Sequence, residues 1–300
     1  LMEEVYRYAL VAGTVAKNHD FDVIHAHDWL TYSAGIIAKK ISGKPLIVHV
    51  HATEYDRGGE FNRNTLVYDI EKRGMEAADR VVTVSNWTRN IVIEKYGIPA
   101  EKVITVHNAV DFKTDTEDRE ERGIKDKIVT FLGRITLQKG PEYFVEAAAK
   151  VMKRLPNVRF VMAGSGEKMN PLVRRVAQLG LGTRFHFTGF LRGNDVQRMF
   201  RYSDVYVMPS VSEPFGISPL EAMRSGVPTI ISKQSGVAEV LHHAIKVDYW
   251  DINALADAIY GVLAYPTLSN FMQREGYEEV NQLKWETASL KLKKIYESLM

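Results

Sequence analysis

The chain has 300 residues, 45% hydrophobic and 25% charged, and its 39 basic and 37 acidic side chains nearly cancel to a formal charge of +2. That length points to two domains able to bury their own cores, and the balanced charge without a long basic run argues against a nucleic-acid partner. The absence of cysteine excludes disulfides, thiolate metal sites and a cysteine nucleophile and fits a cytoplasmic protein. No apolar stretch is long enough to be a transmembrane segment.

Residues 1–17 carry Glu3, Glu4 and Arg7 and lack a cleavage site, which predicts an amphipathic helix rather than a signal peptide. Because the sequence opens on Leu1 inside that helix, a missing N-terminal segment is expected. Short β-branched runs then alternate with helical patterns, the signature of a parallel sheet flanked by helices. Strands are predicted at 22–26, 46–51, 80–84 and 103–106, then at 128–133, 158–163, 184–188, 205–208, 229–231 and 245–247. Between these two groups, 113–127 is dense in charge and reads as a solvated linker.

The fold class is therefore α/β, with two Rossmann-like doubly wound domains. The first is expected over 1–113, the linker over 114–127, the second domain over 128–284, and a C-terminal helix packing back toward the first domain over 285–300. Six strands are the full complement of such a sheet, whereas the first domain has four. Truncation explains that shortfall, and a smaller first domain is the alternative. Lys291, Lys293 and Lys294 on the last helix read as a solvated face, with a weak membrane-surface contact as the other reading.

Ligands of doubly wound sheets bind at the carboxyl ends of strands, which draws attention to 209–223 after the strand 205–208. Gly216 permits close backbone approach, and the amides of Phe215, Gly216 and Ile217 precede a helix whose N-terminus suits an anion. Ser218 reads as the N-cap, Pro219 as the first helical residue and Glu221 as the partner in a capping box, which would explain Glu221 without any function. Glu213 sits in a proline-flanked loop where no helix face explains it. Arg134 and Lys139 follow the strand 128–133, and from spacing alone they read first as ordinary surface charge and second as an anion-binding pair. Gly164-Ser165-Gly166 is a strand-to-helix turn, a weak signal on its own, and Ser235–Glu239 opens a further helix.

Alternation along a strand puts His25 with His27, and His49 with His51, on one face. Such pairs occur in metal-dependent hydrolases, a rival reading that requires more ligands at later strand ends. The second half offers Arg134, Lys139, glycines and two glutamates instead, so no metal is expected. Thr53 to Arg57 reads as an exposed loop, Val84-Ser85 as a strand end, and Asp20-Phe21-Asp22 as loop chemistry ahead of its strand.

Two glutamates separated by seven residues, in the frame Glu213-Pro214-Phe215-Gly216 to Glu221-Ala222, resemble the signature of the retaining GT-B glycosyltransferases that include glycogen synthases and the family-four transferases. The resemblance implies that Glu213 lies beside the donor sugar and that Glu221 holds the nucleotide ribose. The amides near Phe215, Gly216 and Ile217 would meet the diphosphate. The Gly133-Arg134 to Lys139-Gly140 frame matches the family's diphosphate-binding pair, and Gly164 borders the nucleotide. His51 matches the family histidine near donor sugar and acceptor, and His27-Asp28-Trp29 resembles the HDW of glycogen and starch synthases. His25 and His49 would be structural. Glu54 and its neighbours would line the acceptor site. Departures are Ser235, where a glycine is common, and His107 and Ala109, where the family has proline and glycine before Val110-Asp111.

What the resemblance implies is transfer of a sugar, glucose by preference, from a UDP- or ADP-sugar donor to a saccharide acceptor such as an α-glucan, with no metal and no cofactor beyond the donor. The alternatives are an epimerase or hydrolase of the same fold and a non-catalytic nucleotide-sugar binding fragment. The family's glycine-rich loop after its first strand has no equivalent here, so impaired turnover is expected of this piece.

Overall fold

Residues 1–60, 62–110 and 122–300 are described by a computed structural model of the chain. They divide into two units, Leu1–Asn108 with Trp285–Met300, and Ala109–Lys284.

The first unit runs α1 (Met2–Asn18), β1 (Ile24–His27), α2 (Trp29–Ser42), β2 (Leu46–Val50), α3 (Glu54–Gly58), α4 (Thr65–Ala77), β3 (Arg80–Thr83), α5 (Asn86–Tyr96) and β4 (Val103–Thr105). The strands form one parallel sheet in the order β1-β2-β3-β4. Side-chain alternation sorts the sheet into two cores. Ala26, Leu46, Val48, Val50, Val81 and Val103 pack with Tyr32, Met75, Val92 and Tyr96 from the helices. Ile47, Val82 and Val106 face the other way. With both faces covered, β2 is buried at every position, its apolar run interrupted by His49 alone.

The second unit runs β5 (Lys127–Leu132), α6 (Pro141–Met152), β6 (Val158–Ala163), α7 (Met169–Gln178), β7 (Phe185–Gly189), α8 (Asn194–Tyr202), β8 (Val205–Met208), α9 (Ser218–Arg224), β9 (Thr229–Ser232), β10 (Ile245–Val247), α10 (Ile252–Ala264) and α11 (Pro266–Val280). Its parallel sheet has the order β10-β9-β8-β5-β6-β7. The winding reverses between β5 and β8, the point at which such sheets open a crevice for ligands. Phe131, Phe144, Phe160 and Phe185 centre its core. Burying each ring contributes about 1.5–3 kcal/mol.

The last helix, α12 (Trp285–Glu297), belongs to the first unit. Its Ala288, Leu292, Ile295 and Tyr296 pack with Ile47, Val82 and Val106. Among the described residues no helix is long and apolar enough to cross a membrane.

All ten predicted strands form, with ends shifted by at most two residues. Residues 114–121 of the linker lie outside the described residues. In the rest of that stretch 123–125 and 127 are exposed, as the solvated reading expects, while Arg122 and Asp126 are tied to the second unit. Arg122 grips Asp204 at 2.6 and 3.3 Å, and Asp126 accepts from Arg159 at 2.8 Å and Arg184 at 2.6 Å.

Candidate functional site

The strands β5 and β8 are hydrogen-bonded neighbours, with Val129 beside Val205 and Thr130 beside Tyr206. Their carboxyl ends therefore deliver two loops to one place. The loop after β5 carries Arg134 and a short 3-10 turn over Leu137–Lys139. The loop after β8 carries Ser210 and Glu213. Lys139 Nζ stands 2.5 Å from Glu213 Oε2, which also accepts from Ser210 Oγ at 3.2 Å. Glu213 is 6% exposed. A carboxylate at that depth needs a charged or hydrogen-bonding partner, and Lys139 and Ser210 supply both. This corrects the view that Glu213 lacks a structural role: it ties the two loops together.

The backbone fixes the same junction. Glu213 N–H donates to Gln234 O at 3.0 Å, Glu213 O accepts from Gly236 N–H at 2.9 Å, and Phe215 O accepts from Val237 N–H at 2.8 Å. Gln138 links the basic pair to this loop, accepting from Arg134 Nη2 at 3.0 Å and donating to Ser212 O at 3.1 Å. Arg134 itself is exposed and Lys139 half-buried. Two glycines make the close packing feasible. A Cβ on Gly140 would lie 2.0 Å from Pro209 O, and one on Gly164 would lie 1.8 Å from Gly133 O, at φ values of +62° and +143°. Gly164 thus has a packing reason to be glycine, independent of any nucleotide.

The capping-box reading of Ser218 and Glu221 is overturned. The residue ahead, Ile217, already has helical backbone angles (φ −80°, ψ −34°) and is the N-cap, with no side-chain cap bond. An N-cap side chain works from extended backbone, which Ser218 inside the helix lacks. Its hydroxyl instead shares a hydrogen bond with Tyr206, whose own hydroxyl is pushed up by burial and by the nearby carboxylates of Glu213 and Glu221. Freed of a capping role, Glu221 is solvent-accessible yet crowded by protein. That crowding raises its carboxyl above the ordinary value against the opposing charge of Arg224. Phe215 buries its ring at 3% exposure, Gly216 is half-buried and Ile217 is exposed.

In the first unit the register sets His27 beside His49, and alternation adds His25 and His51 on the same face. Four imidazoles result. His25 and His27 stack with centroids 4.3 Å apart, as do His49 and His51. His27 Nδ1 lies 2.9 Å from His51 Nε2, and His25 Nδ1 lies 2.5 Å from the hydroxyl of Tyr296 on α12. His25 Nε2 and both ring nitrogens of His49 are buried without a hydrogen-bond partner. A structural role through hydrogen bonding, expected of both residues, is met by His25 alone. Burial, reinforced by the neighbouring rings, pushes His25 down to about 4 and His49 down to about 2. Charging them would place cations side by side away from water.

Asp28 anchors this array. Its carboxylate accepts from the backbone N–H of His51 at 2.8 Å and of Ala52 at 3.4 Å. It does so from φ +58°, the one positive value on a non-glycine residue among the described residues. Such a backbone costs about 1–3 kcal/mol and persists only where its surroundings enforce it.

One other expectation fails in this unit. Thr53 caps helix α3, Glu54–Gly58, so the segment from Thr53 to Arg57 is not an exposed loop. Thr53 and Asp56 form a reciprocal capping box, and Thr53, Glu54 and Asp56 are buried. The Glu54 carboxylate, expected on an exposed loop beside the acceptor, is buried and accepts from Asn64 N–H at 3.0 Å, which closes the following loop. Beneath it Glu71 pairs with Arg57 at 3.1 Å and is hydrogen-bonded to Tyr96, yet burial still raises its carboxyl to about 6. Ser85, read as a strand end, is a buried N-cap that accepts from Thr88 N–H at 3.0 Å. Asp111 lies outside the described residues.

Sequence reasoning passed over Gln138, Ser210 and Tyr296. Gln138 falls inside the Arg134–Lys139 frame and could have been read as its brace. Nothing local marks Ser210 or Tyr296, whose partners are brought by folding; Tyr296 is 271 residues from His25.

Known proteins share these features. Residues 114–279 match the model of the glycosyl transferases group 1 family, and residues 4–114 that of glycosyltransferase family 4. An uncharacterised glycosyltransferase of Methanocaldococcus jannaschii is 34% identical over 75% of this chain, which spans 61% of that relative's length. Glycogen synthase of Mycobacterium tuberculosis is 23% identical over 92% of the chain and 68% of its own. In structure, HepE of Anabaena in complex with UDP and glucose superposes with a TM-score of 0.84, at 22% identity, over 97% of this chain and 81% of its own. The fold is the two-domain GT-B arrangement of Rossmann-like sheets. With more than half of its length matched by one family model, the chain belongs to the group 1 glycosyltransferases.

Proposed function

We propose that the protein transfers a hexosyl group, glucose by preference, from a nucleoside diphosphate sugar to a saccharide hydroxyl with retention at the anomeric carbon. The observation that carries this reading is the Lys139–Glu213 pair at the point where β5 and β8 diverge, with Arg134 braced beside it through Gln138. In the reaction the bond between anomeric carbon and diphosphate oxygen breaks, and the acceptor oxygen bonds on the same face. The acceptor proton passes to the departing phosphate. Negative charge develops on the leaving group, where Lys139 and Arg134 neutralise it. Arg134 can grip two oxygens while Lys139 acts as a point charge, and the amides near Phe215, Gly216 and Ile217 supply further donors. Glu213 holds sugar hydroxyls, Glu221 the ribose, and Gly164 leaves room at the nucleotide.

His51, with His27 and Asp28, takes the acceptor-side role. No metal is needed for the diphosphate in this scheme. The UDP and glucose bound by HepE support a UDP-sugar donor, and similarity to a glycogen synthase supports a glucan acceptor.

The test is a panel of UDP-glucose, ADP-glucose, UDP-galactose and GDP-mannose against oligosaccharide acceptors, with the product read by NMR. An acceptor-dependent α-linked product from an α-linked donor is expected. Lys139→Ala should lower turnover by about 100- to 1,000-fold, and UDP binding by calorimetry should survive EDTA. Free sugar or an epimerised donor formed without acceptor would overturn the transferase reading. Donor binding without turnover would leave a binding module.

A further inference from the structure

The proposed transfer uses His27 and His51 and leaves the rest of the histidine array unexplained. His25, His27 and His49 each offer one ring nitrogen, and these three atoms lie within 4.8 Å of one another. Three further facts set this group apart from histidines that merely pack. His25 Nε2 and both nitrogens of His49 are buried and unpartnered, three such atoms in one cluster, where the others among the described residues lie singly on separate residues. The Tyr296 hydroxyl holds His25 Nδ1, leaving the other nitrogen of that ring as its remaining ligand atom. A partner of that kind on the far nitrogen orients a metal-binding imidazole and fixes its tautomer. Finally, the ligands come from paired positions on two rigid strands, His27 directly beside His49, rather than from mobile side chains.

We propose that His25, His27 and His49 bind a single divalent transition-metal ion of the zinc class. Neutral imidazoles favour zinc, copper, nickel and cobalt over magnesium or calcium, which take oxygen ligands, and no carboxylate belongs to the group. Tetrahedral zinc at about 2.0–2.1 Å from each nitrogen spaces its ligands by roughly 3.4 Å, so the widest present separation closes by about 1.4 Å through ring rotation. Three protein ligands leave a fourth position open. His51, 2.9 Å from His27 and stacked on His49, stands beside that position. An ion there would hold His27 away from acceptor chemistry, making the first unit responsive to zinc. The site rests on ring geometry alone. Its failure would leave the transferase reading untouched, and failure of transfer would leave the site standing.

The test uses the full chain after dialysis against EDTA. Cobalt(II) is titrated in and its visible ligand-field bands are recorded, then zinc(II) is added to displace it. One equivalent of cobalt with the intense absorption of a four- or five-coordinate ion is expected, with zinc displacing it stoichiometrically. His49→Gln and His25→Gln should each weaken binding more than about 100-fold, and Tyr296→Phe about 10-fold at unchanged stoichiometry. His242→Gln, outside the array, should have no effect. Weak octahedral cobalt without saturation would overturn the proposal. So would one-equivalent binding that survives the His25→Gln/His49→Gln double variant. If a variant misfolds by circular dichroism, protection of His25 and His49 from imidazole modification by zinc in the unaltered chain decides the matter, and no protection counts against the site.

Discussion

The carboxyl ends of the two sheets present opposite solutions to the same problem. In the second unit, loops after β5 and β8 bring a cation and an anion within 2.5 Å and surround them with Ser210 and Gln138. In the first unit, the ends of β1 and β2 bring four imidazole rings together and leave three buried nitrogens unpartnered. One end pairs its buried cation and anion internally and must exchange a partner for a bound anion, although Thr136 Oγ1, Ser232 Oγ and Gln234 Oε1 of that unit are also buried without hydrogen-bond partners. The other is incomplete and gains partners by binding. A site that swaps partners discriminates by charge, whereas one that fills a deficit discriminates by ligand chemistry.

The largest effect should come from breaking the internally paired end. Lys139→Met leaves the Glu213 carboxylate buried with a hydroxyl as its remaining side-chain partner, and should destabilise the second unit by about 3 kcal/mol. The double variant Lys139→Met/Glu213→Gln should recover more than half of that loss. Urea unfolding followed through Trp250 measures both, and a double variant no better than Lys139→Met would show that the pair is not the point of strain.

The first unit should respond to pH instead. Its Glu71 carboxyl is raised from an ordinary 4.5 to about 6 by burial, so the folded state holds that proton more tightly than the unfolded chain does. The stabilisation is full below about pH 4.5 and disappears as the pH rises through 6, a change of about 2 kcal/mol. His25 and His49 of the same unit, depressed by burial, act in the opposite direction because they charge in the unfolded chain first. Urea midpoints followed through Trp29, Trp87 and Trp285 should therefore rise across that window, and Glu71→Gln should steepen the rise. An unchanged slope in that variant would assign the effect elsewhere.

The smallest effect concerns Asp28. Both Asp28→Ala and Asp28→Gly lose the carboxylate that receives the His51 amide, but glycine relieves the positive φ. Glycine should therefore be the more stable replacement by about 1–2 kcal/mol. Alanine equal to glycine in thermal melts would mean that the backbone there is not enforced.

Strand positions were legible because alternation and apolar runs are local properties. Glu213 and Glu221 were singled out through their fixed spacing. What failed was the assignment of partners. The pattern Ser/Thr-x-x-Asp/Glu occurs at both Ser218 and Thr53; a capping box forms at Thr53 and not at Ser218. The difference lies in the backbone of one preceding residue, Ile217, which the pattern does not contain. Glu54 looked available because its neighbours are polar. It is buried because those polar groups satisfy one another. Arg122 and Asp126 misled in the same way, since Asp204 and Arg184, which bind them, lie far along the chain.

The return of α12 to the first unit bears on how the protein is made. Ile47, Val82 and Val106 emerge from the ribosome early, but the helix that covers them is synthesised after the whole second unit. The second unit has its full sheet in one continuous stretch and can finish folding first. Until residues 285–297 appear, one face of the four-stranded sheet stays bare and His25 lacks its tyrosine. Such a nascent face is a target for chaperones and for mispairing with other chains. Completion of the histidine array thus follows synthesis of residues 285–297, so a nascent chain that stops short of them cannot hold the array in its finished form.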